Sequence, residues 1–388
     1  MQKVGLFLGV TPHIGGAFQY SQSLLKAYLA LPEDKYYKVI VYTDKIWENY
    51  LPVDVEKIFV RCTKWTYLLG VLLTLTFFPV FFWKKIASFF DSNAELLKRQ
   101  NCNLWIFSSL SFLCYQMPVS SLGIVHDLMH RYERFPENSS LLVYFWREQV
   151  FKRMCKYCRA LFVDSEIGKQ QLLESYKNNK DKIFPLPFIP PEYIYNEEVP
   201  DDFDEQINLP KKYIFYPAQF WEHKNHIKLL KAIACVMEKY EDISLVLVGY
   251  KKNAYNDILK KINELNLQDN VIFLGYVPDE YMPELYKRAR GLIYPTFFGP
   301  TNIPPLEAMA VGCPMAVSNV YAMSEQCGDA ALYFDPKSIK DMAKCIGMLW
   351  SDDELCNELK MKGSMQKIKY TQNIFNDNLL DNLVQIPK

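Results

Sequence analysis

A surplus of charge of either sign is missing from this sequence: lysine plus arginine total 44, and aspartate plus glutamate total 44. That balance removes the electrostatic case for a nucleic-acid partner. A cysteine framework is missing as well. Ten cysteines are scattered along the chain, and Cys155 and Cys158 form one Cys-x-x-Cys pair with no second pair to complete a zinc site. The simpler reading is two ordinary thiols on one helix, in a reducing compartment. His126 and His130, four apart and able to share a helix face, find no third ligand, so no metal is expected. The amino terminus runs from Met1 straight into a strand pattern, Val4 to Val10. It has no long apolar core followed by a small-residue cleavage site, so no signal peptide is expected.

Half of the residues are hydrophobic and 23% are charged, a globular composition. At 388 residues the chain is long for one core, and two domains are expected. Short apolar runs alternate with helix-forming stretches through both halves, which predicts an α/β protein of two doubly wound parallel sheets. In the first half the runs are 4–10, 39–42, 104–107, 122–125 and 160–163. In the second they are 213–216, 245–248, 271–275, 292–294, 315–317 and 331–334. Between the halves Pro185, Pro187, Pro190, Pro191, Pro200 and Pro210 interrupt any pattern, with an acidic run from Asp201 to Glu205. The reading is a first domain over 1–200, a linker over 201–212 and a second domain over 213–367. A last helix, at about 368–388, packs back on the first domain. Two such domains imply a cleft as the place for a site.

One stretch interrupts this alternation. Trp65 to Trp83 carries no charge, with Lys64 before it and Lys84 and Lys85 after it. Its length nearly matches a bilayer's hydrocarbon core. A span would split the first domain between two compartments, and Gly70 and Pro79 interrupt the run. Two readings stay open: a buried helical pair, or a membrane-facing patch with tryptophans at the interface and lysines toward anionic headgroups.

Four places could carry chemistry. Gly15 and Gly16, in His13-Ile14-Gly15-Gly16, separate the first strand from a helix and either let backbone approach a ligand or only form a turn. His126 and Asp127, and Asp164 to Glu166, stand at strand C-termini, where α/β folds bind ligands. Lys224 lies in a strand-to-helix loop, where its ammonium could neutralise a leaving diphosphate or simply be solvated. In the fourth, Phe297-Phe298-Gly299-Pro300-Thr301-Asn302 leads into a helix at Ile303-Pro304-Pro305. Glu307, expected in the first turn of that helix, either complements the helix dipole or accepts from a ribose diol.

These residues resemble the family-4 retaining glycosyltransferases of GT-B fold. The likeness is carried by His223-Lys224-Asn225, Leu247-Val248-Gly249, Val271 to Val277 and above all Ile303 to Pro314, in order, over most of residues 213–335. It is looser in the first half, through Gly15-Gly16, Val125-His126-Asp127 and Val163 to Glu166. The resemblance implies two Rossmann-like domains facing a cleft, with a nucleotide-diphosphate sugar as co-substrate, and no cofactor or metal. The sugar donor would be held by the second domain and the acceptor by the first. Lys224 would meet the diphosphate, with Asn225 beside it, and Glu307 the ribose. Amides of Thr301, Asn302 and Ile303 would hold phosphate or sugar, and Gly275, Tyr276 and Val277 would frame the base. Gly15 and Gly16 would lie against the phosphates and His126 near the transferred sugar, with Asp127 and Glu166 toward the acceptor.

This sequence departs from the family pattern twice. Gly299 stands where the family has a sugar-contacting glutamate, and Pro217-Ala218-Gln219 stands where it has an arginine. The Gly-Pro-Thr-Asn variant implies altered donor contacts, with Thr301 and Asn302 as replacements. The function so implied is hexosyl transfer, mannose for preference, to a glycan or lipid-linked glycan in surface polysaccharide synthesis. It would take place in the cytoplasm or on the inner face of the cell membrane. A non-catalytic sugar-nucleotide binder, a partner subunit and an epimerase on the same fold are the alternatives.

Overall fold

The structure is a computed structural model and describes residues 1–11, 15–76, 78–177, 180–299 and 301–387. His13, Ile14 and Pro300, named in the motifs above, lie outside the described residues. The chain divides into two compact units. The first comprises Met1–Tyr132, Ser140–Pro187 and Gln372–Lys388; the second comprises Glu133–Ser139 and Phe188–Thr371.

The first unit holds a seven-stranded sheet: β1 (Gln2–Leu8), β2 (Tyr36–Tyr42), β3 (Glu56–Phe59), β4 (Leu104–Phe107), β5 (Ser121–Val125), β6 (Ala160–Val163) and β7 (Ile183–Pro185). The order is β3-β2-β1-β4-β5-β6-β7. Every pairing is parallel, with Leu6 opposite Ile40 on one side and Ile106 on the other. Helices cover both faces of such a sheet, so its central strands are apolar throughout rather than alternating. Leu104 to Phe107 and Ala160 to Val163 are buried at every position. The two strands that periodicity does not reveal, β3 and β7, are the edges. Glu-Lys-Ile-Phe and Ile-Phe-Pro carry the charge and the proline that edges tolerate.

The second unit holds six parallel strands, β8 (Ile214–Pro217), β9 (Leu245–Val248), β10 (Val271–Gly275), β11 (Gly291–Tyr294), β12 (Met315–Ser318) and β13 (Ala331–Phe334). They run in the order β10-β9-β8-β11-β12-β13. The order reverses between β8 and β11, and in the first unit between β1 and β4. At such a reversal the loops leaving the strand C-termini part and open a crevice.

The uncharged run 65–83 forms two helices, Lys64–Leu75 and Val80–Phe90, with Pro79 as the N-cap of the second. At about 1.5 Å per residue neither spans a hydrocarbon core. No helix among the described residues is long and apolar enough to cross a membrane. Each helix buries only one stripe: Gly70, Leu73 and Thr74 in the first, Val80, Trp83 and Ala87 in the second. A Cβ at Gly70 would fall 2.0 Å from the Phe112 ring, so the close approach requires glycine. The outward faces keep their aromatic residues. Cys158 lies just beyond the Leu141–Tyr157 helix rather than on it, its Sγ 3.5 Å from that of Cys114.

Two segments tie distant parts of the sequence into these units. The helix Gln372–Gln385 buries Phe375, Leu379 and Leu383. It donates from Gln372 Nε2 to the Ser23 carbonyl (3.0 Å) and from Asn382 Nδ2 to that of Pro185 (3.2 Å), all within the first unit. Residues 133–139 belong to the second unit. Phe135 stacks on Phe297 with centroids 5.6 Å apart, and Tyr321 donates its hydroxyl to Glu133 at 2.9 Å. Glu137 pairs with His223 and accepts from Asn253.

Candidate functional site

In the second unit the strand reversal brings the loop after β8 beside the loop after β11. Lys224 ends a short 3-10 turn, Glu222–Lys224, whose last carbonyl accepts from the Tyr216 hydroxyl (2.7 Å). Its ammonium donates to the Tyr294 hydroxyl at 3.0 Å, and that hydroxyl donates onward to Asn302 Oδ1 at 3.0 Å. Tyr294 is the last residue of β11, so the strand end itself links the two loops. Asn302 is fixed through its backbone too, its N–H donating to Gln326 Oε1 (3.0 Å) and its carbonyl accepting from Gln326 Nε2 (2.5 Å). Asn225 serves the scaffold: with φ 63 it reverses the chain, and its amide donates to the Pro295 and Pro336 carbonyls, both at 2.9 Å.

Gly299 sits at φ 149, and a Cβ there would meet the Asn302 amide nitrogen at 2.5 Å. The Asn302 side chain therefore occupies the volume that a side chain at 299 would need. Thr301 Oγ1 is buried with no hydrogen-bond partner among the described residues. The helix that follows, Ile303–Val311, starts with residues that strip it of donors, because Pro304 and Pro305 have no N–H. With the Asn302 amide committed to Gln326, the amides of Thr301 and Ile303 have no backbone partner among the described residues and remain for an anion at this helix start.

Glu307 is the fifth residue of that helix, not in its first turn, so the dipole account of its carboxylate falls away. It is 3% exposed. One carboxylate oxygen accepts from the Tyr193 hydroxyl and the other from that of Tyr286 (2.5 Å). Burial raises its pKa to about 7 against the opposing pull of both phenols, with Asp279 adding to the rise. Gly275, at φ 70, turns the chain at the end of β10, and a Cβ there would meet nothing within 4 Å. Tyr276 projects outward and stacks on Tyr250, which follows β9, with centroids 4.9 Å apart and planes 18° from parallel. Val277 is buried.

In the first unit, Gly15 adopts φ 54 and opens the Gly15–Leu29 helix, with Gly15 and Gly16 both exposed. Tyr20 of that helix sets its ring edge-on to His126, centroids 4.9 Å apart. His126 follows β5, and its Nδ1 lies 3.0 and 3.2 Å from the two carboxylate oxygens of Asp164, which follows β6. Burial alone would lower the His126 pKa, but the carboxylates of Asp164 and Asp127 outweigh it and raise it. Asp127 accepts from Arg147 (2.5 Å) and from the Met129 amide (2.9 Å). Glu166 is exposed at the first position of the Glu166–Tyr176 helix, just after the capping residue Ser165.

The shared helix face expected for His126 and His130 does not exist, because His126 precedes the Met129–Tyr132 helix that carries His130. His130 is buried and bonded to Glu148 at 2.7 Å, which Arg131 also grips. Among the described residues no three His, Cys, Asp or Glu side chains converge as a metal site would need.

Several participants escape the sequence reading. Tyr294, Tyr193, Tyr286 and Tyr250 belong to no motif, and tyrosines recur throughout the chain. Asp164 carried a signal, since it follows a predicted strand, but its pairing with His126 requires the β5–β6 neighbourhood.

Residues 199–365 match the family model "Glycosyl transferases group 1". Over 143 residues the chain is 36% identical to O-antigen chain mannosyltransferase B of Escherichia coli, covering 36% of this chain and 37% of that relative. It is 27% identical over 222 residues to O-antigen chain mannosyltransferase RfbU of Salmonella typhimurium, covering 57% of this chain and 58% of that one. The alignments thus span less than two thirds of these relatives. Among solved structures, Anabaena HepE in complex with UDP and glucose superposes with a TM-score of 0.72 at 14% identity, over 99% of both chains. By these matches the chain is a relative of glycosyltransferases, mannosyltransferases among them, and its fold is the α/β GT-B type with two Rossmann-like units.

Proposed function

We propose that the protein is a retaining, metal-independent glycosyltransferase that moves a hexose from a nucleotide-diphosphate sugar to a glycan or lipid-linked glycan acceptor. Mannose is the proposed sugar, supported by the two O-antigen mannosyltransferases among its relatives. The observation that carries the reading is the Lys224–Tyr294–Asn302 chain at the β8/β11 reversal, within the matched region. It presents a cation held from behind by a strand residue, beside a helix start with unspent amides.

In this reading Lys224 and the amides of Thr301 and Ile303 meet the diphosphate, with Asn225 fixing the loop. Glu307 takes the ribose, Gly275 to Val277 frame the base, and Gly299 and Asn302 shape the sugar subsite. Gly15 and Gly16 back the phosphates. His126, held by Asp164, faces the transferred sugar, and Asp127 and Glu166 serve the acceptor side. The bond from the sugar C1 to the diphosphate breaks while an acceptor hydroxyl oxygen bonds C1 from the same face. The hydroxyl proton passes to the departing phosphate oxygen, and Lys224 stabilises the charge that develops there. No enzymic nucleophile is called for. The proposed setting is the cytoplasm, on the membrane face where lipid-linked acceptors are elongated.

The test is a panel of nucleotide sugars with EDTA present, scored by release of nucleoside diphosphate. Release from a single donor, the guanosine diphosphate sugar of mannose, is the expected result. Tight donor binding without release would instead favour a sugar-nucleotide-binding relative, a reading that Gly299 supports.

A further inference from the structure

The Val80–Phe90 helix is built the wrong way round for a surface helix of a soluble protein. Its inner stripe, Val80, Trp83 and Ala87, is what attaches it to the core. Its outer face consists of Phe81, Phe82, Lys85, Ile86, Phe89 and Phe90, two adjacent rows at helical spacing, all exposed, with Phe89 at 85%. The preceding helix does the same with Trp65, Tyr67, Leu68 and Leu72, Trp65 being 68% exposed. The Leu141–Tyr157 helix packs on the Lys64–Leu75 helix, Arg153 donating to the Leu73 carbonyl at 2.7 Å. It opens with Leu141 to Phe145, five consecutive exposed apolar residues. Concentrations of exposed aromatic surface on this scale mark interaction sites rather than ordinary solvent-facing surface.

Charge narrows the occupant. From position 57 to 90 the chain carries Lys57, Arg61, Lys64, Lys84 and Lys85 and no acidic residue. Lys64 stands next to Trp65 in sequence, and the Lys85 ammonium lies 4.3 Å from the Phe81 ring centroid, at the edge of the aromatic face. A second copy docking through this face would bring two sets of cations together with no carboxylate from the same stretch between them. An anionic lipid surface offers acyl chains for the phenylalanines, a headgroup layer for tryptophan and tyrosine, and negative charge for the lysines.

We infer that the outer faces of the Lys64–Leu75 and Val80–Phe90 helices, with the start of the Leu141–Tyr157 helix, form a docking surface for anionic phospholipid. The two helices lie in the plane of the interface rather than crossing it. This deepens the membrane-face placement proposed above and rests on it only for its purpose, because the docking can be measured without turnover.

The test is co-sedimentation of the full chain with vesicles of phosphatidylcholine alone and of phosphatidylcholine mixed equally with phosphatidylglycerol. The expected result is binding to the mixed vesicles that weakens with salt. Loss is expected in Phe82→Ser/Phe89→Ser, and a drop of about fivefold per charge removed in Lys64→Gln and Lys85→Gln. Each altered side chain is exposed, so thermal melts should stay unchanged. Absence of binding by the unaltered protein, or equal binding by the double serine variant, would overturn the inference. So would a dimer in sedimentation without lipid that the same variant abolishes, since the face would then join two copies. Nucleoside diphosphate release is read in parallel without vesicles. Release without docking refutes the surface and leaves the transferase reading standing; docking without release does the reverse.

Discussion

Glu307 is a carboxyl group without water, held between two phenols, and its behaviour follows from that. Its pKa in the folded protein is about 7, against 4.5 in a solvated chain. The folded form therefore retains a proton that the unfolded form gives up. Stability falls as pH rises from about 4.5 to 7 and stays lowered above that, by an amount on the order of 3 kcal/mol. Glu307→Gln should flatten this slope in thermal melts taken across that range. It should also weaken donor binding about tenfold or more by calorimetry above pH 7, where Glu307 is a charged acceptor. A Gln variant that binds donor normally would remove the ribose role.

His126 has the opposite sign. Its folded pKa is raised, so its contribution to stability is complete below the ordinary histidine value and is lost as pH climbs through the raised one. In Asp164→Asn the burial remains and the main carboxylate is gone, so a proton NMR titration should find His126 below its ordinary value. An unmoved titration would mean that Asp164 does not set it. Gly299→Glu, which restores the family's residue type, should not restore anything. The side chain must displace the Asn302 amide and hold φ near 149, a cost of about 2 kcal/mol or more in a denaturant melt.

At the scale of elements, the segment 133–139 is fastened to the second unit by the Glu137–His223 ion pair, by Phe135 against Phe297 and His223, and by hydrogen bonds from Tyr321 to Glu133 and from Asn253 to Glu137. Glu137 has its pKa lowered to about 2: burial acts to raise it, but pairing with His223 and Asn253 prevails. That stabilisation is present above the ordinary carboxylate value of 4.5 and is lost as pH falls toward 2. Glu137→Ala should cost about 2 kcal/mol and speed proteolytic cleavage within 133–139. Cleavage at the unaltered rate would show that Phe135 and the Tyr321–Glu133 hydrogen bond hold the segment without it.

The central strands of both sheets were readable because fully buried parallel strands are short continuous apolar runs. The edge strands β3 and β7 were not, because an edge tolerates charge and proline. The helix pair at 64–90 was ambiguous because a hydrophobic run has the same composition whether it faces core or lipid; only the exposure of Phe81 and Phe89, set against the burial of Trp83, separates the two faces. Lys224 and Glu307 could be singled out as candidates from the motifs around them. Their tyrosine partners were not, since Tyr294, Tyr286 and Tyr193 reach them only through strand order and helix packing.

For the whole molecule, the C-terminal helix decides whether the first unit is complete. Ending the chain at Thr371 removes Phe375, Leu379 and Leu383 from that unit's core, each worth about 1.5–3 kcal/mol when buried. The truncated protein should show early melting or insolubility. Melting unchanged from the full chain would make the helix an accessory.

The same arrangement has a consequence for synthesis. In a chain made from its amino end, 180 residues of the first unit, Met1–Tyr132 and Ser140–Pro187, precede the bulk of the second, and the helix that closes the first unit follows the whole of the second. The second unit, whose segment 133–139 has already emerged, can finish while the first still waits with the apolar seat of Phe375, Leu379 and Leu383 empty. The first unit is thus at its most adhesive during translation, when a chaperone would meet that open apolar seat before the closing helix does.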